Sequence, residues 1–515
     1  MQTLIFSDIS NIGYGKNAGA YLIASHLRQN NFSCQVVDHF TQYSLDELKK
    51  IVDKFVLKDT LWVGFSTTFL SSFDTELGSK DLIDAIDNDV PLKEIIIRRW
   101  SCIPSTNIFS LPTEDMIEFF QYIRSKNEKI KIIIGGAKTW NAFQSDGLLR
   151  KILADYYIRG NADYSIIVLT KWLFNSSNPT PIFEGPNKNI IESFKNYEYV
   201  DFPTCRLKFE HNDFVSKDEY LPIEIARGCI FKCKFCNFPL IGKKAGDYTR
   251  SKETIRDEFI YNYENFGTTK YMFMDETPND SMEKVEFLYD IISNLPFKIE
   301  WGGYARLELY YSNPEMKHIM KEIGVSNQFF GIETFNKKAG ESVGKGMHKD
   351  KILQTLSDLR STWGKDVHLT SGFIVGLPHE TKETIKDLEN YMRSDNCMLD
   401  AALISPLFLS KGMGSIFGDN PQKYGYTHPY ADSPNRWVNE HMTFEDAQII
   451  AYGTMLKIAK TNSLQNWSLM RLHNIGLNRK EIQSMTMYNF SKNLDLYRSM
   501  MVNQKNLYLE KLLAL

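Results

Sequence analysis

The sequence predicts an α/β chain with an N-terminal doubly wound (Rossmann-like) parallel sheet, a central partial (β/α)6 barrel and a mainly helical C-terminal region. Three observations lead to this fold class. Short apolar runs alternate with amphipathic helical patterns across 1–175 and again across 221–400. The runs are apolar throughout, which is typical of parallel strands covered on both faces. From about residue 400 onward the strand pattern fades and helical periodicity dominates.

Composition places the chain among large globular proteins. It has 515 residues, of which 43% are hydrophobic and 13% aromatic, enough for several buried cores. The net charge of −3 gives no basic excess for nucleic acid. No apolar stretch approaches the roughly 20 residues of a membrane helix, and the N-terminus has no secretory n-region. We therefore expect a cytoplasmic protein with neither nucleic-acid nor membrane partners.

The N-terminal domain is predicted over residues 1–175. Residues 70–113 interrupt its strand–helix rhythm and are predicted to be an insertion. Residues 176–220 contain four prolines among many Asn and Lys and are predicted to be an extended linker. The predicted strands of this domain are 4–7, 33–38, 61–66, 131–134 and 156–160, and its clearest helices are 18–29 and 114–126.

The second domain is predicted over residues 221–400 as a full or partial barrel, because βα units repeat there. Ligands of such barrels bind at the carboxyl ends of the strands. Residues 401–515 form the third predicted region, in which 444–461 and the last 40 residues have helical patterns. The predicted barrel strands are 223–226, 271–274, 299–302, 327–331 and 372–375, separated by helices at 252–266, 282–294, 314–323, 349–362 and 382–393.

Three of the seven cysteines, Cys229, Cys233 and Cys236, lie within eight residues, in a C-x3-C-x2-C spacing directly after the first barrel strand. Thiolates are suited to iron–sulfur clusters or to zinc. Three thiolates can hold three irons of a four-iron cube and leave the fourth iron open. Zinc would need a fourth protein ligand, and Cys205 or His211 could supply it only from 18 or more residues upstream. The spacing favours a [4Fe–4S] cluster, with zinc as the alternative.

This loop resembles the C-x3-C-x-aromatic-C signature of the radical S-adenosylmethionine superfamily, with Phe235 in the aromatic position. The resemblance implies that the open iron binds S-adenosylmethionine. Reductive cleavage then gives methionine and a 5′-deoxyadenosyl radical, which abstracts hydrogen from a substrate. It also implies an electron donor such as flavodoxin or ferredoxin. The substrate, a small molecule or a peptide, is not identified by the sequence.

The resemblance extends over about 221–395 and implies cofactor-binding roles for residues at the strand ends. Asp275 and Glu276 match the position that contacts the amino group of S-adenosylmethionine. Arg306 matches an arginine near the methionyl carboxylate, for which a guanidinium fork is suited. Glu333 occupies the position where the family often binds the ribose hydroxyls, and a carboxylate can accept two hydrogen bonds from a diol.

The fifth predicted barrel strand carries a further match. Gly372, Ile374 and Gly376 match the family's Gly-x-Ile-x-Gly segment, which implies a close approach of the backbone to the adenine. Glu380 lies one position later than the family's glutamate, and we transfer no role to it.

The N-terminal domain resembles the cobalamin-binding domain that many radical S-adenosylmethionine enzymes carry before the barrel. The match lies in the order of its elements and in the loops after its strands, including Ser66 and Thr67 after the third strand and Gly135 and Gly136 after the fourth. In doubly wound sheets such loops form the ligand crevice. The chain has no Asp-x-His-x-x-Gly motif, so a lower-axial histidine is not expected.

Two other interpretations of the N-terminal domain stay open. Gly13, Gly15 and Gly19 with Asp38 superficially fit a dinucleotide-binding fingerprint, although the glycine spacing is one residue too long. The domain could also be a scaffold that binds no cofactor.

The resulting hypothesis is a cobalamin-dependent radical S-adenosylmethionine methyltransferase that acts on an unactivated carbon. One alternative keeps the radical chemistry but leads to cyclisation, rearrangement or oxidation without methyl transfer. The other is a zinc-stabilised, non-catalytic binding protein on a barrel scaffold.

Overall fold

The described part of the chain forms two six-stranded sheets, and every strand pair within them is parallel. This confirms the predicted α/β fold with two parallel sheets. The computed structural model describes residues 1–9, 15–70, 80–96, 113–137, 139, 154–185, 187–196, 202–238, 249–409, 415–427, 436–464 and 472–515. Gly13 of the glycine-rich loop and most of the predicted insertion lie outside these ranges.

The first sheet has the strand order β2-β1-β3-β4-β5-β6. Because β2 and β3 lie on opposite sides of β1, the chain crosses to the other half of the sheet there, which opens a crevice at the carboxyl ends of the strands. The strands are β1 (Thr3–Phe6), β2 (Cys34–Val37), β3 (Trp62–Ser66), β4 (Lys131–Gly135), β5 (Tyr156–Arg159) and β6 (Ile190–Glu192). The helices are α1 (Ala18–Gln29), α2 (Leu45–Phe55), α3 (Lys80–Asp87), α4 (Thr113–Lys126), α5 (Ser165–Phe174) and α6 (Ser193–Asn196).

Strand β6 lies inside the segment predicted as a linker. Ile190 and Ile191 pair with Tyr157 and Ile158 of β5, so the first sheet continues beyond residue 175. A three-residue edge strand next to prolines gives too short an apolar run to be recognised from the sequence. Helix α3 likewise occupies part of the predicted insertion.

The second sheet runs in chain order from β7 to β12. Its last strand follows residue 400, so the barrel extends past its predicted boundary. The strands are β7 (Leu221–Ile223), β8 (Lys270–Phe273), β9 (Glu300–Ala305), β10 (Val325–Glu333), β11 (His368–Val375) and β12 (Ala401–Pro406). The helices are α7 (Lys252–Phe266), α8 (Met282–Ser293), α9 (Leu307–Ser312), α10 (Met316–Glu322), α11 (Lys337–Ser342), α12 (Lys349–Trp363) and α13 (Lys382–Met392).

The C-terminal region is helical, as predicted, and its last helix returns to the first sheet. Tyr508, Leu509 and Leu512 are buried in the core of the N-terminal domain, and Lys505 pairs with Glu47 of α2 at 2.7 Å. None of the described helices has the length and apolar content needed to span a membrane. The helices of this region are α14 (Ile416–Asp419), α15 (Phe444–Ile458), α16 (Arg479–Gln483), α17 (Met487–Lys492) and α18 (Leu494–Ala514).

Candidate cofactor site

A cavity of about 860 Å³ lies between the carboxyl ends of the two sheets. Its lining on the first-sheet side includes Ser66, Gly135 and Gly136, and on the barrel side Asp275 and Glu276. These are five of the positions that the sequence predicted. Ligands of doubly wound sheets and of barrels bind at this end of the strands, so one cavity joins the two expected ligand regions.

The cysteine loop follows β7 and is held by backbone hydrogen bonds. Cys236 N–H donates to Cys233 O at 3.0 Å, which closes a tight turn inside the loop. Lys234 is fixed from two sides: its N–H donates to Val343 O at 3.1 Å, and its carbonyl accepts from Phe417 N–H at 2.9 Å. The loop is therefore positioned by the segment after α11 and by the C-terminal region.

Each of the three thiols has a hydrogen-bonding neighbour. Cys229 Sγ lies 3.3 Å from Thr277 Oγ1, Cys236 Sγ accepts from Phe238 N–H at 3.4 Å, and Cys233 Sγ accepts from Arg306 Nη1 at 3.6 Å. Burial raises the pKa of the Cys229 and Cys236 thiols. Metal coordination and donors of this kind favour the thiolate form instead.

The donor set of the loop is three thiolates, one for each of three irons of a cube. Structural zinc would need a fourth protein ligand. Cys205 lies instead 3.2 Å from His26 Nε2 and is buried, and His211 packs edge-on against Phe266.

Asp275 and Glu276 follow β8 but differ in their surroundings. Asp275 is buried, pairs with Lys284 Nζ at 2.8 Å and accepts from Thr277 N–H at 2.9 Å, so it holds the loop. Glu276 accepts from Gly228 N–H at 3.3 Å, next to the first cysteine. Burial, followed by the nearby Asp275 carboxyl, raises the pKa of Glu276 to about 8. Glu276 is therefore the better candidate for a ligand contact.

Arg306 lies against the cysteine loop. Its guanidinium stacks 3.7 Å from the centre of the Phe231 ring and donates to Glu308 Oε1 at 3.0 Å as well as to Cys233. Its backbone is fixed by Asn279, whose side chain both accepts from Arg306 N–H and donates to Arg306 O. Phe235 packs half-buried against the barrel core.

Glu333 ends β10 with a left-handed backbone, φ 69°, which is uncommon for a residue other than glycine. Lys345 Nζ lies 3.2 Å from Glu333 Oε1 and also donates to Gly331 O. Burial raises the pKa of Glu333. The carboxyl is thus oriented by a local lysine rather than free in the cavity.

The glycines of β11 make close packing contacts. A Cβ on Gly372 would lie 3.1 Å from the Phe329 ring, and Ile374 packs half-buried against the core. Gly376 has φ 99° and lies against Trp437, and its carbonyl accepts from Tyr426 Oη at 2.8 Å. Packing against Phe329 of the neighbouring strand and against Trp437 of the C-terminal region explains why both positions are glycine. No contact with the adenine is needed to explain them.

Glu380 anchors the Gly376 turn, because its carboxyl accepts from Gly376 N–H at 2.8 Å and lies 2.9 Å from Thr334 Oγ1. Burial raises the pKa of Glu380 to about 7 from an ordinary 4.5. The folded state therefore holds this proton more tightly than the unfolded state, and stability falls as the pH rises from 4.5 through 7.

We expect Glu380→Gln to gain about 1–3 kcal/mol relative to wild type between pH 5 and pH 8. The amide carries no charge, and it can still accept from Gly376 N–H while it donates to Thr334 Oγ1. Urea denaturation at each pH measures this difference. Glu264→Gln, at an exposed position of α7, is the control for simple loss of a carboxylate. A stability difference between wild type and Glu380→Gln that does not change with pH would contradict this interpretation of the site.

The loops of the first sheet approach one another closely. Gly136 has φ 97°, and a Cβ there would lie 2.7 Å from Thr68 N. Thr67 is fully buried and its Oγ1 donates to Gly135 O at 2.7 Å, so Thr68, not Thr67, lines the cavity. Ser66 Oγ accepts from Asn17 Nδ2 at 3.4 Å.

The acidic residue of the dinucleotide interpretation is already engaged. Asp38 is buried, pairs with Lys16 Nζ at 2.9 Å and accepts from Tyr21 Oη. Both contacts are made to Oδ2, and Asp38 is only 2% exposed, so a ribose could not reach the carboxylate without displacing the residues packed around it. This arrangement disfavours a dinucleotide at the first sheet.

Sequence reasoning missed an ionic group at the edge of the cavity, formed by Asp163, Glu224 and Arg227. Arg227 and Glu224 lie two and five residues before Cys229, and Asp163 follows β5. No local pattern signals that these side chains meet, because the two segments are about 60 residues apart and in different sheets.

The barrel matches the model of the Radical SAM superfamily over residues 223–392. This segment is a radical S-adenosylmethionine domain, and the chain is an enzyme that contains it. Such a domain implies a [4Fe–4S] cluster and S-adenosylmethionine as cofactors. The predicted resemblance is confirmed over this segment.

Relatives and solved structures extend the comparison beyond the barrel. An uncharacterized methyltransferase of Pyrococcus horikoshii is 26% identical over 343 residues, which cover 62% of this chain and 70% of the relative. TsrM, a radical S-adenosylmethionine methyltransferase of Kitasatospora setae solved with cobalamin and a [4Fe–4S] cluster, is 14% identical with a TM-score of 0.57, over 83% of this chain and 76% of TsrM. OxsB, a cobalamin-dependent S-adenosylmethionine radical enzyme, is 13% identical with a TM-score of 0.58, over 98% of this chain and 72% of OxsB. At these identities the two structures show a shared fold that includes both sheets.

Proposed function

We propose that this enzyme is cobalamin-dependent and transfers a methyl group to an unactivated carbon. The observation that carries the proposal is one cavity bounded on the barrel side by residues that flank the cysteine loop, Arg227 and Phe238, and on the other side by the glycine-rich loops of the first sheet. Two cofactors bound at its two sides would face a shared space. TsrM and OxsB, which have this fold, are solved with cobalamin bound, and the Pyrococcus relative is named a methyltransferase.

The chain's own residues have distinct roles in this proposal. Cys229, Cys233 and Cys236 hold the cluster. Glu276 accepts from the amino group of S-adenosylmethionine, and Arg306 donates to its carboxylate. The bound cofactors supply a transferable methyl group and a 5′-deoxyadenosyl radical, and the protein orients them and excludes water.

The first-sheet side is suited to a large planar ligand. We define the corrinoid platform as the loops at 66–68, 135–137 and 160–163. The cavity is lined by backbone rather than by side chains at Gly135, Gly136 and Gly160. Apolar side chains, including those of Ile5 and Trp62, also line it. Small residues at strand ends allow a close approach of such a ligand.

Filling the corrinoid platform should block cobalamin specifically. Ala162 lines the cavity, and Ala162→Trp is expected to weaken hydroxocobalamin binding at least about 30-fold, because the indole occupies the space of the ring. Absorption titration of the anaerobic protein measures the affinity. Ser177→Trp adds the same bulk at an exposed turn and serves as the control. Equal affinities of the two variants would place the corrinoid elsewhere.

Radical chemistry without methyl transfer is the competing function. It shares the cluster and S-adenosylmethionine, and both versions need a one-electron donor such as flavodoxin or ferredoxin. Methyl transfer forms S-adenosylhomocysteine together with 5′-deoxyadenosine during turnover. Formation of 5′-deoxyadenosine alone by cobalamin-loaded enzyme with its substrate would refute methyl transfer.

A further inference from the structure

Arg227 bridges the two halves of the cavity. On one side its Nε and Nη2 donate to the two oxygens of Glu224, at 2.7 and 2.8 Å. On the other side its Nη1 and Nη2 donate to the two oxygens of Asp163, at 2.8 and 3.3 Å. Arg227 and Glu224 precede the cysteine loop, whereas Asp163 belongs to the corrinoid platform.

The ion pairs that Arg227 makes with Glu224 and Asp163 are largely buried and restricted in geometry. The side chains of Arg227 and Asp163 are 8% and 6% exposed. The guanidinium also stacks 4.7 Å from the centre of the Phe202 ring. A planar fork that serves two carboxylates fixes direction as well as distance, which the single ammonium of a lysine cannot do.

Asp163 also lies close to His26 of α1. His26 Nε2 lies 3.9 Å from Asp163 Oδ1 and 3.2 Å from Cys205 Sγ. The first-sheet end of the bridge is therefore anchored to α1 and to the segment that leads into the barrel. Movement of the platform relative to the cysteine loop would break these buried ionic contacts and leave buried charges unpaired.

We propose that Arg227 is a positioning residue that fixes the distance between the corrinoid platform and the cysteine loop. This inference rests on the proposed function for its purpose, because methyl transfer and radical formation must act on one substrate held between the two cofactors. Arg227 touches no reacting atom in this account. It acts through Asp163 on one side and through Glu224 on the other.

Hydrogen–deuterium exchange of the apo chain tests, without any cofactor, whether the segments 160–166 and 226–238 are coupled. It is measured for wild type, Arg227→Lys and Asp163→Asn. We expect Arg227→Lys to speed exchange at 160–166 about tenfold, and Asp163→Asn to speed exchange at 226–238 similarly, because coupling free energies are reciprocal. The double variant should be no faster than the faster single variant.

Arg360→Lys is the matched control, since the Arg360 side chain is 14% exposed and paired with Asp400 at 2.6 Å within the barrel, away from the cavity. It should leave exchange at 160–166 unchanged. Unchanged exchange at 160–166 in Arg227→Lys, or an equal change in Arg360→Lys, would overturn the proposal.

Hydroxocobalamin titration of the same proteins then separates this proposal from the proposed function. If wild type binds and Arg227→Lys binds about tenfold more weakly while Arg360→Lys does not, both stand. If wild type binds no corrinoid, the proposed function fails, and the exchange data still decide whether Arg227 joins the two segments. If wild type and Arg227→Lys bind equally well, the positioning role is wrong.

Discussion

Replacing Cys229, Cys233 and Cys236 together with alanine is expected to abolish cluster binding and to reduce S-adenosylmethionine cleavage at least about 10³-fold. Without thiolates the loop offers iron no protein ligand, and the reduced cluster is the source of the electron. Iron and sulfide content after anaerobic reconstitution, and 5′-deoxyadenosine formation with dithionite, measure the two effects.

The control for this experiment is Cys397→Ala. Cys397 is half-buried beside α13, and its thiol donates to Leu399 O at 3.4 Å. This variant should keep wild-type iron, sulfide and cleavage. If the triple variant retains the same iron and still cleaves S-adenosylmethionine, the cluster is not on this loop.

Gly376→Ala is expected to destabilise the protein by about 2–4 kcal/mol. The backbone at Gly376 has φ 99°, where a side chain is strained, and the new Cβ would overlap the fully buried Trp437 ring. Trp437 cannot retreat easily, because its Nε1 donates to Leu407 O at 2.8 Å. Urea denaturation followed by tryptophan fluorescence measures the loss.

Gly476→Ala separates backbone strain from steric overlap. Gly476 has φ 101°, but a Cβ there would have no atom within 4 Å. We expect a loss of only about 1 kcal/mol at this position. Equal losses for the two variants would show that Trp437 does not press on Gly376, and that the turn tolerates a side chain.

Most of the fold could be predicted from the sequence because buried parallel strands are continuous apolar runs. Where that signal fails, the reason is local. Strand β6 is three residues long, and helix α18 reaches the N-terminal core through a contact between residues more than 450 positions apart, such as Lys505 and Glu47. A pattern of local periodicity contains no information about such distant pairs.

The candidate site was predictable where the chemistry is encoded in spacing and not where it depends on tertiary pairing. The cysteine loop belongs to the first kind. Glu333 is oriented by Lys345, and Asp275 is paired with Lys284, neither of which the motif includes. The contacts of Arg227 with Asp163 also depend on tertiary pairing, since they join residues of two different sheets.

If one chain binds a cluster and a corrinoid on the two sides of one cavity, both cofactors should be retained by the purified protein. Anaerobic purification with iron, sulfide and cobalamin supplied, followed by quantification of all three in the same sample, measures this. We expect about four irons, about four sulfides and about one corrinoid per chain. Zinc at about one per chain without iron and sulfide, or a full cluster without any corrinoid, would contradict this expectation.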